Sequence, residues 1–184
     1  MNANERVPRT RTSATSKVLA FSMISTMPRL LKQNAHAEAQ PVLESALRMV
    51  YGLAKANPAY QPKLAATLNN LATLYSATHQ RERCEQAYRE ALQIQRHLAE
   101  SNPAAYQPDL GATLNNLASL YSATKRPHES EQAYQEALQL YRRLAKSNPA
   151  VYQPCVAETL NNLAILYAYT DRLEESEKAY QEAR

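Results

Sequence analysis

The sequence predicts an all-α fold, a superhelical solenoid of antiparallel helix pairs, and three observations favour it. One is an internal repeat of 46 residues, the signature of stacked structural units. The second is the spacing of apolar residues, which follows the period of an α-helix within each repeat. The third is the scarcity of glycine, with only Gly52 and Gly111, together with the lack of alternating strand patterns that would indicate β-hairpins.

The repeat is visible in four short strings, Leu-Asn-Asn-Leu-Ala, Ala-Tyr-x-Glu-Ala, Tyr-Gln-Pro and Asn-Pro. Each string occurs three times. In the order just given, they begin at residues 68, 114 and 160; at 87, 133 and 179; at 60, 106 and 152; and at 57, 102 and 148. A helix pair of this size cannot bury its apolar face alone, so successive units are expected to stack into one continuous core.

Each unit predicts two helices, and the first is expected to begin at a proline. Pro62, Pro108 and Pro154 suit the first helical position, where an N–H would be unpaired in any case. Apolar residues then follow at i, i+4, i+7 and i+11, on one face of the helix. The stripes are Leu64, Leu68, Leu71 and Tyr75; Leu110, Leu114, Leu117 and Tyr121; and Val156, Leu160, Leu163 and Tyr167.

A polar turn near residues 78–82, 124–127 and 170–172 separates the first helix from the second. The second helix is predicted to begin at Pro127 in one repeat, and at a capping box of Asp171 and Glu174 in the next. Asn148-Pro149 is expected to end the second helix, because a residue before proline is driven out of the helical region.

Two ladders of tyrosines are predicted to lie in the core, because aromatic residues at helical spacing are usually packing residues. The ladders are Tyr75, Tyr121 and Tyr167 on the first helices, and Tyr88, Tyr134 and Tyr180 on the second. A third set is expected in the connections, wedged between adjacent units: Tyr60, Tyr106 and Tyr152.

These positions resemble the repeats of the tetratricopeptide family. The family pattern of large, Leu, small and Tyr on the first helix, and small, aromatic and Ala on the second, matches Leu114, Leu117, Ala118, Tyr121, Ser130, Tyr134 and Ala137. Residues 68–91 and 160–183 match in the same register. Arg96 and Arg142 stand where the family has a helix-ending proline, which lengthens the unit as in kinesin light chains and bacterial multi-repeat regulatory proteins. The resemblance covers residues 33–184 and implies a right-handed superhelix.

The chain is predicted to form one continuous array. Residues 1–15 would be a mobile basic leader, 16–57 a degenerate leading repeat, 58–103 and 104–149 two repeats, and 150–184 a truncated final repeat. In the leading repeat Ile24-Ser25 replaces the asparagine pair and Pro28 interrupts the first helix. The short final helix leads us to expect a fragment of a longer array, or an end covered by another subunit.

Charge divides the chain into two parts. Residues 1–32 contain six basic side chains and one acidic one, whereas residues 33–184 contain 15 basic and 16 acidic, although the whole chain carries +4. The nearly neutral body gives no reason to expect nucleic-acid binding. No segment predicts a membrane span, and Arg29 and Lys32 argue against a cleaved secretion signal. We expect Cys84 and Cys155 to be free thiols in the cytoplasm.

The resemblance implies a concave surface lined by the first helices, where family members bind extended or helical peptides. The candidate peptide-binding residues are Asn69, Asn70, Thr73, Asn115, Asn116, Ser119, Asn161, Asn162, Ile165 and Tyr169. The other lining positions are Ala66, Ser76, Ala77, Ala112, Ser122, Ala123, Glu158 and Ala168. An asparagine amide can donate to and accept from a peptide backbone at once, so a row of them can bind a chain without requiring a particular sequence.

A structural role for the asparagines is the alternative. One residue of each pair could instead bond to the neighbouring helix and hold the repeat spacing, and this role is favoured more for the first asparagine than for the second. Family members that bind a C-terminal carboxylate use lysine and arginine on this surface. This chain has Ala66, Asn69, Ala112, Asn115 and Glu158 there, which argues against that ligand.

No group of residues indicates catalysis, a metal or a cofactor. The histidines are scattered, no cysteine cluster accompanies them, and the glycine count excludes phosphate-binding loops. We predict a non-catalytic scaffold that binds a peptide or protein segment, as a possible module of a larger regulatory protein. Two alternatives stay open: self-assembly through the unfinished ends, and RNA binding, which the neutral body disfavours.

Overall fold

The computed structural model describes residues 36–184, and these residues form seven α-helices, one 3-10 turn and no strand. The helices are α1 His36–Ala56, α2 Gln61–Ala77, α3 Arg81–Ser101, α4 Pro103–Ala123, α5 Pro127–Ser147, α6 Pro149–Tyr169 and α7 Leu173–Glu182, and the 3-10 turn is Pro58–Tyr60. The all-α prediction is confirmed. The predicted leader and the first helix of the degenerate repeat lie outside the described residues.

The helices pack in chain order, each mainly on the helix before it and the helix after it. Short turns join α2 to α3, α4 to α5 and α6 to α7, which makes each pair antiparallel. We call α2, α4 and α6 the first helices, and α3, α5 and α7 the second helices. One continuous core of leucine, alanine and tyrosine runs through all the pairs. The predicted solenoid of antiparallel helix pairs is therefore confirmed.

Two of the first helices begin earlier than predicted. α4 begins at Pro103 and α6 at Pro149, so Pro108 and Pro154 lie inside helices and do not start them. The Asn-Pro string stands at both starts. The Asn102 side chain accepts a hydrogen bond from a backbone N–H three residues on, at 3.3 Å, whereas Asn148 makes no such bond at the start of α6. The proline after it occupies the first helical position, where its missing N–H costs nothing.

The first repeat starts differently. Asn57 caps the 3-10 turn, and α2 begins at Gln61 with Pro62 in its first turn, close to the prediction. The earlier starts of α4 and α6 place Tyr106 and Tyr152 inside helices, although connections were predicted for them. Both side chains are partly buried and pack on the core, as expected of residues that wedge adjacent units.

Three equivalent turns end the first helices. Thr78, Thr124 and Thr170 each donate their hydroxyl to the carbonyl four residues earlier. The next residue lies in the left-handed region with φ of 59°: His79, Lys125 and Asp171. The predicted capping box is therefore wrong, since Asp171 belongs to this turn. α7 begins after Arg172, and no side chain caps it.

The tyrosines of the two ladders are buried where the next helix packs over them. Tyr75, Tyr88, Tyr121 and Tyr134 are all buried, as predicted. Tyr167 is partly buried. The prediction is wrong for Tyr180, which is 43% exposed. Within the described residues α7 packs mainly on α6, whereas α3 and α5 are each held between two first helices, so Tyr180 lacks the second surface that buries its equivalents.

A repeated group of three side chains, which we call the inter-repeat clamp, joins each repeat to the one before it. An arginine lies over the ring of the tyrosine near the end of a first helix, at 4.2–4.3 Å from the ring centre. It also pairs, at 2.6–2.8 Å, with a glutamate of the helix that precedes that first helix. The clamps are Tyr75, Arg83 and Glu44; Tyr121, Arg126 and Glu85; and Tyr167, Arg172 and Glu131. Stacking and ion pairing thus act on one guanidinium.

A second set of bridges joins neighbouring second helices further along. Arg96 of α3 donates to Glu136 of α5 at 2.7 Å, and Arg142 of α5 pairs with Glu182 of α7. Both arginines lie well inside their helices, which run to Ser101 and Ser147. The predicted lengthening of the second helices is confirmed, and the extra turns carry these bridges.

Candidate functional site

The first helices lie closer to one another than the second helices do. α2 contacts α4, and α4 contacts α6. Short side chains are long enough to join neighbouring first helices, because the Asn115 amide of α4 donates a hydrogen bond to the Thr159 hydroxyl of α6. The second helices are instead joined by long arginine and glutamate side chains, Arg96 with Glu136 and Arg142 with Glu182. A stack with closer spacing on one side curves towards that side, so the first helices line its inner surface.

The second asparagine of each pair has no side-chain hydrogen-bond partner in the part of the chain that the structure describes. Asn70 and Asn162 are partly buried and Asn116 is exposed. None of the three makes a side-chain hydrogen bond to another described residue. An amide on a partly desolvated surface, with both its donors and its acceptor unused, gains from meeting a peptide group there.

The first asparagine of each pair has a different environment. The Asn115 amide donates to the Thr159 hydroxyl at 2.9 Å, across the boundary between two repeats. The side-chain oxygen of Asn69 is buried without a hydrogen-bond partner among the described residues. Asn161 is exposed. Asn115 thus matches the structural alternative, a side chain that fixes the distance between neighbouring helices.

A hydroxyl pair follows the asparagines in two repeats. The Thr73 hydroxyl lies 3.2 Å from the Tyr88 hydroxyl, and the Ser119 hydroxyl lies 2.8 Å from that of Tyr134. Burial raises the pKa of both tyrosines, so both phenols stay protonated. Each pair joins the first helix of a repeat to its second helix at the edge of the inner surface.

The third repeat breaks this pattern with exposed apolar residues. Ile165 stands at the position of Thr73 and Ser119, and its side chain is 56% exposed. Tyr169, one turn later, is 66% exposed. Glu158 is the only charged residue among the lining positions, where the earlier repeats have Ala66 and Ala112. The lining positions are therefore polar or small and uncharged in two repeats, whereas the third repeat adds two exposed apolar side chains and one negative charge to its asparagine pair.

Cys84 has the environment of a packing residue. It is fully buried, and burial raises the pKa of its thiol to about 11, which keeps it uncharged at neutral pH. Ser130 and Ser176 hold the equivalent positions and donate to backbone carbonyls of the preceding helix at 2.8 Å each. Both Cys84 and Cys155 are free thiols, as predicted.

Residues 36–184 contain no group of three or more histidine, cysteine, aspartate or glutamate side chains placed to hold a metal ion. In that same part of the chain, none of the helices has the length and apolar character needed to span a membrane. The inter-repeat clamp was not predicted from the sequence. Its signal was the recurrence of Arg126 and Arg172, and of Glu85 and Glu131, at 46 residues.

Comparison with protein families supplies the decisive observation. The family model of the tetratricopeptide repeat matches residues 63–143 and again residues 109–184. The chain belongs to the tetratricopeptide repeat family. Repeats of this family generally form scaffolds for protein–protein interaction. No curated protein matches the sequence.

Solved structures share the same fold. The crystal structure of BtubC (BKLC) from P. vanneervenii is 21% identical, with a TM-score of 0.70, over 95% of this chain and 68% of that one. A kinesin-light-chain-type protein of Podosopora anserina with nearly identical TPR-like repeats is 18% identical, with a TM-score of 0.68, over 90% of this chain and 73% of that one. At these identities the likeness concerns the fold.

Proposed function

We propose that this tetratricopeptide repeat chain is a non-catalytic scaffold that binds a peptide segment along the inner surface of its first helices. The observation that carries the proposal is the row of Asn70, Asn116 and Asn162, whose amides have no partner among the described residues. Each amide offers two donors and an acceptor, which match the N–H and C=O groups of an extended backbone.

The groove's surroundings support the same function. The three asparagines recur at intervals of 46 residues on helices that contact each other in sequence, so they face the same groove from successive repeats. The lining positions of the first two repeats hold no charged residue, which suits the backbone of a peptide more than charged side chains. Free thiols favour a reducing compartment, and we place the protein in the cytoplasm.

Substitution of the three asparagines tests the proposal. A displayed library of random peptides is first selected against the wild-type chain, and the enriched peptides are synthesised. Their affinity is then measured by calorimetry for wild type and for the triple variant Asn70→Ala, Asn116→Ala and Asn162→Ala. Loss of several backbone hydrogen bonds, each worth about 0.5–1.5 kcal/mol, is expected to weaken binding at least about tenfold.

The matched control removes amides from the second helices. Gln93 of α3 and Gln139 of α5 are exposed and make no side-chain hydrogen bond with a described residue. The variant Gln93→Ala with Gln139→Ala is expected to bind like wild type, and circular dichroism melts check that all variants fold. Affinity within twofold of wild type in the asparagine variant would contradict the proposal.

A second candidate is self-assembly through the last helix. The groove beside α7 is lined by Leu173, Tyr180 and Ala183, and the first two are exposed at 67% and 43%. Stacking of another chain on this helix would bury them. Light scattering over a concentration series separates the two functions: a rising mass supports stacking, and a constant monomer mass excludes it.

A further inference from the structure

The inner surface of the third repeat has three substitutions that the fold does not require. Glu158 replaces Ala66 and Ala112, Ile165 replaces Thr73 and Ser119, and Tyr169 replaces Ala77 and Ala123. The earlier repeats pack into the same solenoid with small residues at these places. The larger and charged side chains of α6 therefore add nothing that the packing of the repeats needs.

Ile165 and Tyr169 are exposed because of the face of the first helix on which they lie. Thr73 and Ser119 are exposed although α4 and α6 follow their helices, and Ala77 and Ala123 are exposed too. Helix α6 itself packs between α5 and α7. The exposed apolar residues of α7 differ in this respect, because among the described residues that helix has a neighbour on one side only.

Glu158 lies on the same stripe of α6 as the apolar pair. Ile165 follows it by seven residues and Tyr169 by eleven, spacings that fall on one face of a helix. Glu158 is exposed and forms no ion pair with a described residue. Burial is the main cause of the raised pKa of Tyr134 and of Tyr141, both on α5, and the charge of Glu158 adds to it.

We infer that the third repeat selects the ligand, binding a segment in which a lysine or arginine lies about three residues from a bulky apolar side chain. This inference rests on the proposed peptide-binding function. Glu158 attracts the cation, while Ile165 and Tyr169 cover the apolar side chain. The two sites are two helical turns apart, about 10 Å, which three residues of an extended peptide span.

The first two repeats would then hold the backbone of the ligand and the third would read its side chains. An unpaired carboxylate beside an apolar pair is complementary to a cationic and apolar segment, and it repels an acidic one. Burial of one large apolar side chain contributes about 1.5–3 kcal/mol, enough to change affinity tenfold or more.

The test converts the third repeat into the second. The variant Glu158→Ala, Ile165→Ser and Tyr169→Ala gives α6 the residues that α4 has at the equivalent positions. The fold already accommodates these residues on α4. Peptides are selected from the random library against wild type and against this variant. Wild type is expected to enrich peptides with a basic and a bulky apolar residue about three apart, and the variant is expected to lose this preference and to bind those peptides at least tenfold more weakly.

The matched control is Val151→Ala. Val151 is an exposed apolar residue of the same helix, 52% accessible, with Ala105 at the equivalent position. The control is expected to keep wild-type affinity. One outcome is that wild type and the variant of Glu158, Ile165 and Tyr169 bind equally well the peptides whose binding the asparagine substitutions weaken. That result would overturn the inference and leave the proposed function standing. Enrichment of no peptide by wild type would contradict the proposed function itself.

Light scattering of the same proteins gives the remaining outcome. If wild type forms a dimer that the triple variant does not form, the apolar pair is a contact between copies of this chain and the inference is overturned. A monomeric wild type that binds the selected peptides supports it.

Discussion

Gly111 shows how a single residue adapts the repeat to its neighbour. The equivalent positions in the other repeats hold Ala65 and Ala157. A Cβ atom on Gly111 would lie 2.8 Å from the ring of Tyr141, which is buried and stands where the preceding repeat has Gln95. Glycine at this position leaves room for the larger aromatic side chain. The packing of that ring outweighs the lower helix propensity of glycine.

Substitution of the two glycines separates these effects. We expect Gly111→Ala to lower the free energy of unfolding by about 1–3 kcal/mol, because the tyrosine ring or the helix must move. Gly52→Ala is the control, since nothing lies within 4 Å of the place that its methyl group would take and alanine favours the helix by about 0.5–1 kcal/mol. Urea denaturation measures both. Equal effects of the two substitutions would contradict the close contact at Gly111.

At the scale of the element, the helix ends depart most from the sequence-based expectation. The apolar stripes located the helices correctly, because burial on one face fixes them. The starts of α4 and α6 were misplaced because Pro108 and Pro154 suit a first turn, yet the helix tolerates them in its interior. The left-handed turn was missed because His79, Lys125 and Asp171 give no glycine signal for it.

The same turn predicts a stabilising substitution. Lys125 is exposed and has φ of 59°, a conformation that costs a residue with a Cβ about 1 kcal/mol and costs glycine almost nothing. Lys125→Gly is expected to raise the free energy of unfolding by about 1 kcal/mol, whereas Lys125→Ala is expected to leave it within about 0.5 kcal/mol. Thermal and urea denaturation of the three proteins measure this. Lower stability of the glycine variant than of the alanine variant would contradict the left-handed conformation.

At the scale of the whole molecule, the stack is held by packing on the inner side and by the clamps on the outer side. The Arg172 guanidinium lowers the pKa of Glu131 by hydrogen bonding, against the opposing effect of burial, and the Tyr167 hydroxyl adds to it. A carboxyl whose pKa is lowered by folding stabilises the protein above its ordinary pKa. That contribution is lost as the pH falls through the lowered value.

Acid denaturation tests the clamp. The free energy of unfolding of wild type is expected to fall as the pH drops below about 4, where carboxylates of unfolded chains take up protons. Glu131→Gln is expected to be less stable than wild type at neutral pH and to lose less on acidification. Glu174→Gln, an exposed residue without an ion pair among the described residues, should follow wild type. Parallel pH curves for wild type and Glu131→Gln would contradict a stabilising clamp.

The sequence predicted the repeat from its period alone, whereas the inner position of the asparagines was an expectation from the resemblance to the tetratricopeptide family. The sequence could not show that the two asparagines of a pair have different environments, because the hydrogen bond from Asn115 to Thr159 depends on the distance between two helices. Nor could it show the clamp of the first repeat, where Arg83 stands three residues from the register of Arg126 and Arg172. In that repeat Gln40 and Gln80 occupy the places of the ion pair and bond to each other at 2.9 Å.

The central claim is that a ligand lies along the first helices, and nuclear magnetic resonance of the side-chain amides tests it most directly. A peptide selected from the random library is added to the ¹⁵N-labelled chain. We predict that the signals of Asn70, Asn116 and Asn162 shift, while those of Gln93 and Gln139 on the second helices stay in place. Shifts confined to the two glutamines would contradict the claim.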